Sequence, residues 1–270
     1  MEVDINPKLS VEENAALYYE KAKKAKKKLK GAQLAIEKFT PQLNAIEKPE
    51  EKSHVHVPQR KRFWFEKFRW FFTSSGLLVI GGRDAMTNEI VIKKHTEPHD
   101  LVFHTDMAGS PFFVLKTQGT EPSETDIQEV ADATCTFSRA WKNELSTTSV
   151  FYVKPDQVTK EANSGEYLTK GAFVIRGKTN YVTNSVSCAV GLLNDVLEKG
   201  IYKGVLMCGS LQAVKNNCTD VIELIQGDEK PSDIAKKIKR TFSYNDLDEI
   251  VRVLPPGNLA IPKERKSRKR

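Results

Sequence analysis

Apolar residues near the start of the chain recur in alternating steps of four and three: Val11, Ala15, Tyr18, Ala22, Ala25, Leu29, Ala32, Ile36, Phe39, Leu43 and Ile46. That spacing predicts one helix over 11–46 with a narrow apolar stripe, the seam of a coiled coil. Ser10 and Glu13 form a capping box at its start. Pro41 falls inside the pattern, so the helix is expected to kink or end near Thr40. Between the seam positions, KAKKAKKKLK (21–30) reads as a solvated polar face. A stripe this narrow needs a partner helix, and no second heptad run of matching length follows before Pro58.

Past a linker at 47–62, which has two prolines and no periodicity, the pattern changes. Short β-branched and aromatic runs between turn residues predict strands at Leu77–Ile80, Glu89–Lys93, Leu101–His104, Phe112–Lys116, Val150–Lys154 and Phe173–Arg176. Ser123 with Asp126 starts a long helix carrying Val130, Ala131, Thr134 and Trp141 on one face. Strands with one main helix give an α+β domain at 63–182 built on a mainly antiparallel sheet. A small α/β appendage follows at 186–262, with strands at Gly204–Cys208 and Asp220–Ile225. Its helices are expected at Leu211–Lys215, Pro231–Arg240 and Leu247–Leu254. The basic tail 263–270 closes the chain.

Charge narrows the field of partners. Lys and Arg exceed Asp and Glu by 42 to 35 in 270 residues, a formal net charge of +7. A basic chain favours a polyanion, because each neutralised phosphate releases counterions. Ribosomal RNA, tRNA, DNA and anionic lipid all satisfy that condition. The N-terminus lacks a basic-then-apolar leader, and no apolar run approaches a bilayer span, so a cytoplasmic protein without membrane contact is expected.

Catalytic and metal chemistry find little footing. Cys135, Cys188, Cys208 and Cys218 contain no Cys-x-x-Cys pair and read as reduced, buried thiols. The histidines, His54, His56, His95, His99 and His104, form no ligand frame. No cofactor, metal or enzymatic activity is expected. Cations beside aromatics are more suggestive: Arg69 next to Trp70, Arg139 near Trp141, and Arg176 and Lys178 before Tyr181. The aromatics read as core and the cations as phosphate contacts.

Four blocks go further: residues 61–95 (KRFWFEKFRWFFTSSGLLVIGGRDAMTNEIVIKKH), 99–116 (HDLVFHTDMAGSPFFVLK), 133–142 (ATCTFSRAWK) and 163–182 (NSGEYLTKGAFVIRGKTNYV). In this order and spacing they resemble the NFACT-R domain, the RNA-binding domain of the NFACT family of ribosome-quality-control proteins. VIELIQGDEK and LDEIVRVLPPGN resemble the extension of archaeal members, and the heptad helix resembles one arm of the family's coiled-coil hairpin. The resemblance implies binding to the large ribosomal subunit and tRNA, supporting rescue of stalled chains and C-terminal tail elongation. It casts Arg69, Arg83, Lys93, Lys94, Arg176 and Lys178 as phosphate contacts. His104 would bond RNA or order its own loop, while Asp84 and Asn88 would shape the turn after Gly82. The small residues within 107–110 would admit RNA to the backbone, although Met107-Ala108 departs from a His-Gly pair common in the family. The family's NFACT-N half has no counterpart in these residues. A separate NFACT-N-type protein, or a homodimer through 11–46, is therefore the expected partner of the heptad helix. A protein-interaction scaffold is the alternative.

Overall fold

The structure, a computed structural model, describes residues 4–7, 9–45, 62–161, 168–193 and 204–262, with only the backbone described at 39 and 41–45. Ile46, the linker at 47–61, His54, His56 and the basic tail lie outside these residues. The chain divides into two compact units, Met1–Lys61 and Arg62–Arg270.

The first unit is helix α1, Val11–Ala45. Its capping box forms as the sequence predicts: Ser10 N donates to Glu13 Oε2 (2.8 Å) and Glu13 N to Ser10 Oγ (3.2 Å). The chain before the cap folds back on the first turns. Asn14, buried, takes a bond from Asn6 N and gives its amide to the carbonyls of Asn6, Leu9 and Ser10, and Tyr18 Oη reaches Asp4 O. The helix does not end near Thr40 but runs through Pro41 to Ala45. A proline removes one backbone bond and leaves the others of the ladder to carry the helix onward. Seam residues Val11, Leu29 and Ile36 are exposed.

The second unit is built on a six-stranded sheet in the order β1-β2-β4-β3-β5-β8. Its strands are β1 (Arg69–Phe72), β2 (Leu78–Gly81), β3 (Leu101–Thr105), β4 (Phe113–Leu115), β5 (Val150–Val153) and β8 (Asn180–Val182). Every pairing is antiparallel. Helix α3, Glu124–Thr136, packs across β3, β4 and β5 behind the predicted Ser123–Asp126 capping box, and the short helix α4, Arg139–Lys142, follows it. Val130, Ala131 and Thr134 are buried along α3 and Trp141 along α4. Strands β6 (Val158–Thr159) and β7 (Val174–Ile175) make a separate ribbon.

One element differs in kind from its sequence pattern. Ala85–Lys94 is helix α2, where a strand is expected at Glu89–Lys93. Asp84 decides the outcome: its carboxylate accepts Thr87 N (2.8 Å) while Thr87 Oγ1 takes Asp84 N (2.9 Å), a closed cap at the first turn.

A second antiparallel sheet orders β10-β9-β11-β12, from β9 (Cys188–Leu193), β10 (Leu206–Gly209), β11 (Cys218–Glu229) and β12 (Leu259–Ala260). Helix α5, Leu211–Asn217, bridges the two sheets. Asn217, buried, donates its amide to Phe72 O, Thr73 O and Ala213 O. Helices α6 (Pro231–Phe242) and α7 (Leu247–Val253) pack on β11 and β10. Between the sheets Gly209 lies on Phe71 so closely that a β-carbon would sit 2.7 Å from the ring. The apolar core therefore runs unbroken from β1 into β10.

Candidate nucleic-acid interface

Two half-buried arginines line a cleft of about 530 Å³. Arg69 opens β1, and register places it opposite Gly81 at the end of β2, two residues before Arg83. Arg69 Nη1 donates to Leu254 O (3.1 Å), with its guanidinium 4.5 Å above the Phe137 ring. Arg83 Nη2 donates to Phe68 O (2.7 Å) and its Nη1 to Arg252 O. Its Nε is buried with no acceptor among the described residues. Neither guanidinium has a carboxylate in ion-pair range there.

Burial lowers both pKa values, Arg69 to about 10 and Arg83 to about 9; repulsion from Arg69 and Arg252 adds to the effect at Arg83. Both remain cations at neutral pH. Desolvating a charge without an opposite charge is costly, so this arrangement is complementary to an anion from outside.

The rim adds more positive charge. Arg139 and Lys142 project from α4 and Lys170 from the segment leading to β7, all exposed. Gly109 adopts φ +80, and a β-carbon there would stand 2.9 Å from the Arg139 guanidinium, so glycine makes room for that side chain. Asp84, committed to capping α2, is the one acid lining the cleft among the described residues.

One wall is aromatic: His104 stacks on Phe112 at 4.0 Å, and Phe173 meets Phe112 edge-on at 5.4 Å. Burial lowers the His104 pKa, which keeps the ring neutral. Its Nε2 lies 3.2 Å from Ser110 O, tying β3 to the 106–110 loop. Thr105 Oγ1 and Ser110 Oγ (2.5 Å) close the same loop.

Of the residues singled out from sequence, Arg69, Arg83 and His104 come together here, as do Ala108, Gly109 and Ser110. Asp84, Asn88 and Arg139 line it too, whereas the remaining four expected phosphate contacts lie elsewhere. Lys93 pairs with Glu89 (3.1 Å), which also holds Lys160 (2.8 Å). Lys94 is exposed at the end of α2. Arg176 pairs with Glu161 (3.5 Å), and Lys178 is exposed, its carbonyl bonded to Gln157 Nε2. A larger groove of about 750 Å³ beside Lys93, Lys154 and Lys160 also carries Glu97 and Asp156 and so lacks the same surplus of charge. Lys142 and Lys170 were not singled out, and Arg139 stood only as a cation near Trp141. The signal was the run RAWK itself, two cations flanking a tryptophan that is buried.

A cationic, acid-poor cleft on an antiparallel α+β scaffold defines a polyanion-binding protein. Comparison makes the class specific: residues 67–177 match the NFACT protein RNA binding domain, and the chain belongs to the NFACT family. All five cleft cations fall within the matched span. The archaeal Rqc2 homolog aRqcH of Methanocaldococcus jannaschii is 39% identical over 211 residues, 76% of this chain and 30% of that protein. The ribosome quality control complex subunit NEMF homolog of Drosophila melanogaster is 36% identical over 185 residues, 67% of this chain and 18% of that one. For human NEMF the figures are 36% over 177 residues, 64% and 16%. The chain thus spans less than a third of the length of these relatives. The C-terminal part of the fibronectin/fibrinogen-binding protein from Streptococcus suis is 20% identical, covering 65% of this chain and 77% of that one, with a TM-score of 0.37.

Proposed function

We propose that the cleft grips RNA of the large ribosomal subunit and tRNA, and that the protein supports rescue of stalled nascent chains and C-terminal tail elongation in the cytoplasm as a binding component rather than a catalyst. The observation that carries this reading is the gathering of Arg69, Arg83, Arg139, Lys142 and Lys170 around one cleft with Asp84 as its single acid among the described residues. The names of the relatives, all ribosome-quality-control proteins, supply the ribosomal setting. Phosphate contacts make affinity fall steeply with salt. The test is binding of purified large subunits and of tRNA between about 50 and 200 mM salt. The double variant Arg139→Glu, Lys142→Glu is expected to weaken binding about ten-fold or more and to flatten the salt slope by about 0.7–0.9 per lost contact. Flat, negligible binding at the low-salt end overturns the reading.

The exposed seam of α1 favours a second role beside the first. Val11 is 80%, Leu29 60% and Ile36 64% exposed, and an apolar heptad face is stabilised by a facing helix. α1 then pairs with a separate NFACT-N-type protein or with a second copy of itself. Sedimentation of the chain alone and mixed with such a protein separates the two; a monomer in both conditions, with α1 fully helical, overturns the pairing.

A further inference from the structure

We infer that Trp64, outside the cleft, is a platform on which one unpaired base of the bound RNA stacks, with Lys67 and Lys94 beside it to take the flanking phosphates. This rests on the reading that the protein binds RNA, and it adds a second foothold that touches a base rather than a phosphate.

The three tryptophans of the chain are placed differently. Trp70 and Trp141 are buried, at 4% and 1% exposure, whereas Trp64 is 48% exposed. Its indole lies on the His95 ring (4.7 Å, interplanar 16°) and meets Phe65 at an edge (5.7 Å, 80°). An indole clasped on both faces shows only its rim. With about half of the residue in water, the face turned away from His95 is open. Such a face takes up an unpaired base by stacking, whichever base is presented.

The ring is held in place before any ligand arrives. It sits on the 3₁₀ turn Trp64–Lys67, closed by Phe63 N to Glu66 Oε1 (2.6 Å) and Glu66 N to Phe63 O (3.1 Å). His95 beneath it is fixed as well: its N–H reaches Val91 O, and its carbonyl accepts Lys116 Nζ (3.1 Å). A preformed platform spares a stacking base the cost of ordering it. Cations frame the stack. Residues i and i+3 of a 3₁₀ turn share one side, which puts Lys67 beside Trp64, and Lys94 directly precedes His95. Both lysines are exposed, and neither pairs with an acid among the described residues. Glu97, an exposed acid close by, is turned to Lys116 (3.4 Å). Burial, and then the charges of Lys67, Lys116 and Lys94, lower the His95 pKa, so the ring under the indole stays neutral. Asp84 at the start of α2 borders the cleft and His95 ends that helix, so about 15 Å of helix separates the two sites. They contact different nucleotides.

The test uses the fluorescence of the full chain, because Trp64 is the tryptophan that solutes reach. The probes are a single-stranded oligouridylate, an abasic strand of the same length and charge, and tRNA, at about 50 mM salt. The oligouridylate is expected to quench the emission and to shield it from acrylamide, and the abasic strand to bind without doing either. Trp64→Phe is expected to remove the quenching. Trp64→Ala is expected to weaken oligouridylate binding about ten-fold, the worth of one stacked base, and to leave the abasic strand's affinity unchanged. In the Arg139→Glu, Lys142→Glu variant, saturating oligouridylate is expected to quench as before, since the platform lies outside the cleft. Oligouridylate that binds without quenching or shielding, or that binds Trp64→Ala undiminished, overturns the platform and leaves RNA binding standing. So does binding of tRNA but of neither strand. Binding of none of the three overturns both readings.

Discussion

Arg83 spends its side chain on two carbonyls, Phe68 O and Arg252 O, and a lysine at that position has no planar fork to reach both. Arg83→Lys keeps the charge, yet it is expected to lower fold stability by about 2 kcal/mol in urea denaturation. Unchanged stability would show that the fork contributes little. His104 carries a different signature. Burial holds its folded pKa below the ordinary value of about 6.5, so the unfolded chain takes up a proton that the folded chain resists. Its contribution to stability is fully present above about pH 6.5 and is lost as pH falls toward the lower, folded value. His95, also lowered by burial, acts in the same direction. Urea midpoints at pH 7.5 and 5.5 are expected to show the drop, and His104→Asn to make it shallower; an unaltered slope in the variant would rule His104 out as a source.

At the level of elements, what could be read from the sequence depended on whether the local signal had a rival. α3 announces itself through Ser123 and Asp126, and α6 through Pro231 at its first turn, with nothing in either stretch suggesting anything else. In α2 the run Glu89-Ile90-Val91-Ile92-Lys93 is β-branched at its centre like a strand, and the deciding cap at Asp84 stands outside the run. The interface was legible in part for a related reason. Arg69 and Arg83 are brought close by one hairpin, β1 with β2, within reach of local pattern. Arg139 and Lys142 arrive on α4, and Lys170 on the approach to β7, so only the tertiary fold brings them to the same place. Asp84 links the two matters, because it starts α2 and is also the cleft's acid. Asp84→Ala is expected to cost about 1 kcal/mol of stability. The same change removes a repulsive charge, so tRNA affinity at low salt is expected to rise. A fall in affinity without loss of structure would mean that the carboxylate itself contacts the RNA.

On the scale of the molecule, the match to the RNA-binding domain ends at Gly177, but the packed unit does not. β8 still has to join β5, Gly209 has to cover Phe71, and Asn217 has to satisfy the carbonyls of Phe72 and Thr73. Residues 62–182 on their own are therefore expected to lack a cooperative thermal transition, whereas 62–262 should show one. A sharp melt from the shorter piece would refute this. The dependence extends to the arginines, since the carbonyls that brace Arg69 and Arg83 belong to Leu254 and Arg252, some seventy-five residues beyond the matched domain's last position. Domain and brace can therefore be inherited only as a pair: a lineage that trades away the C-terminal segment must find new anchors for both guanidiniums, or leave them unheld.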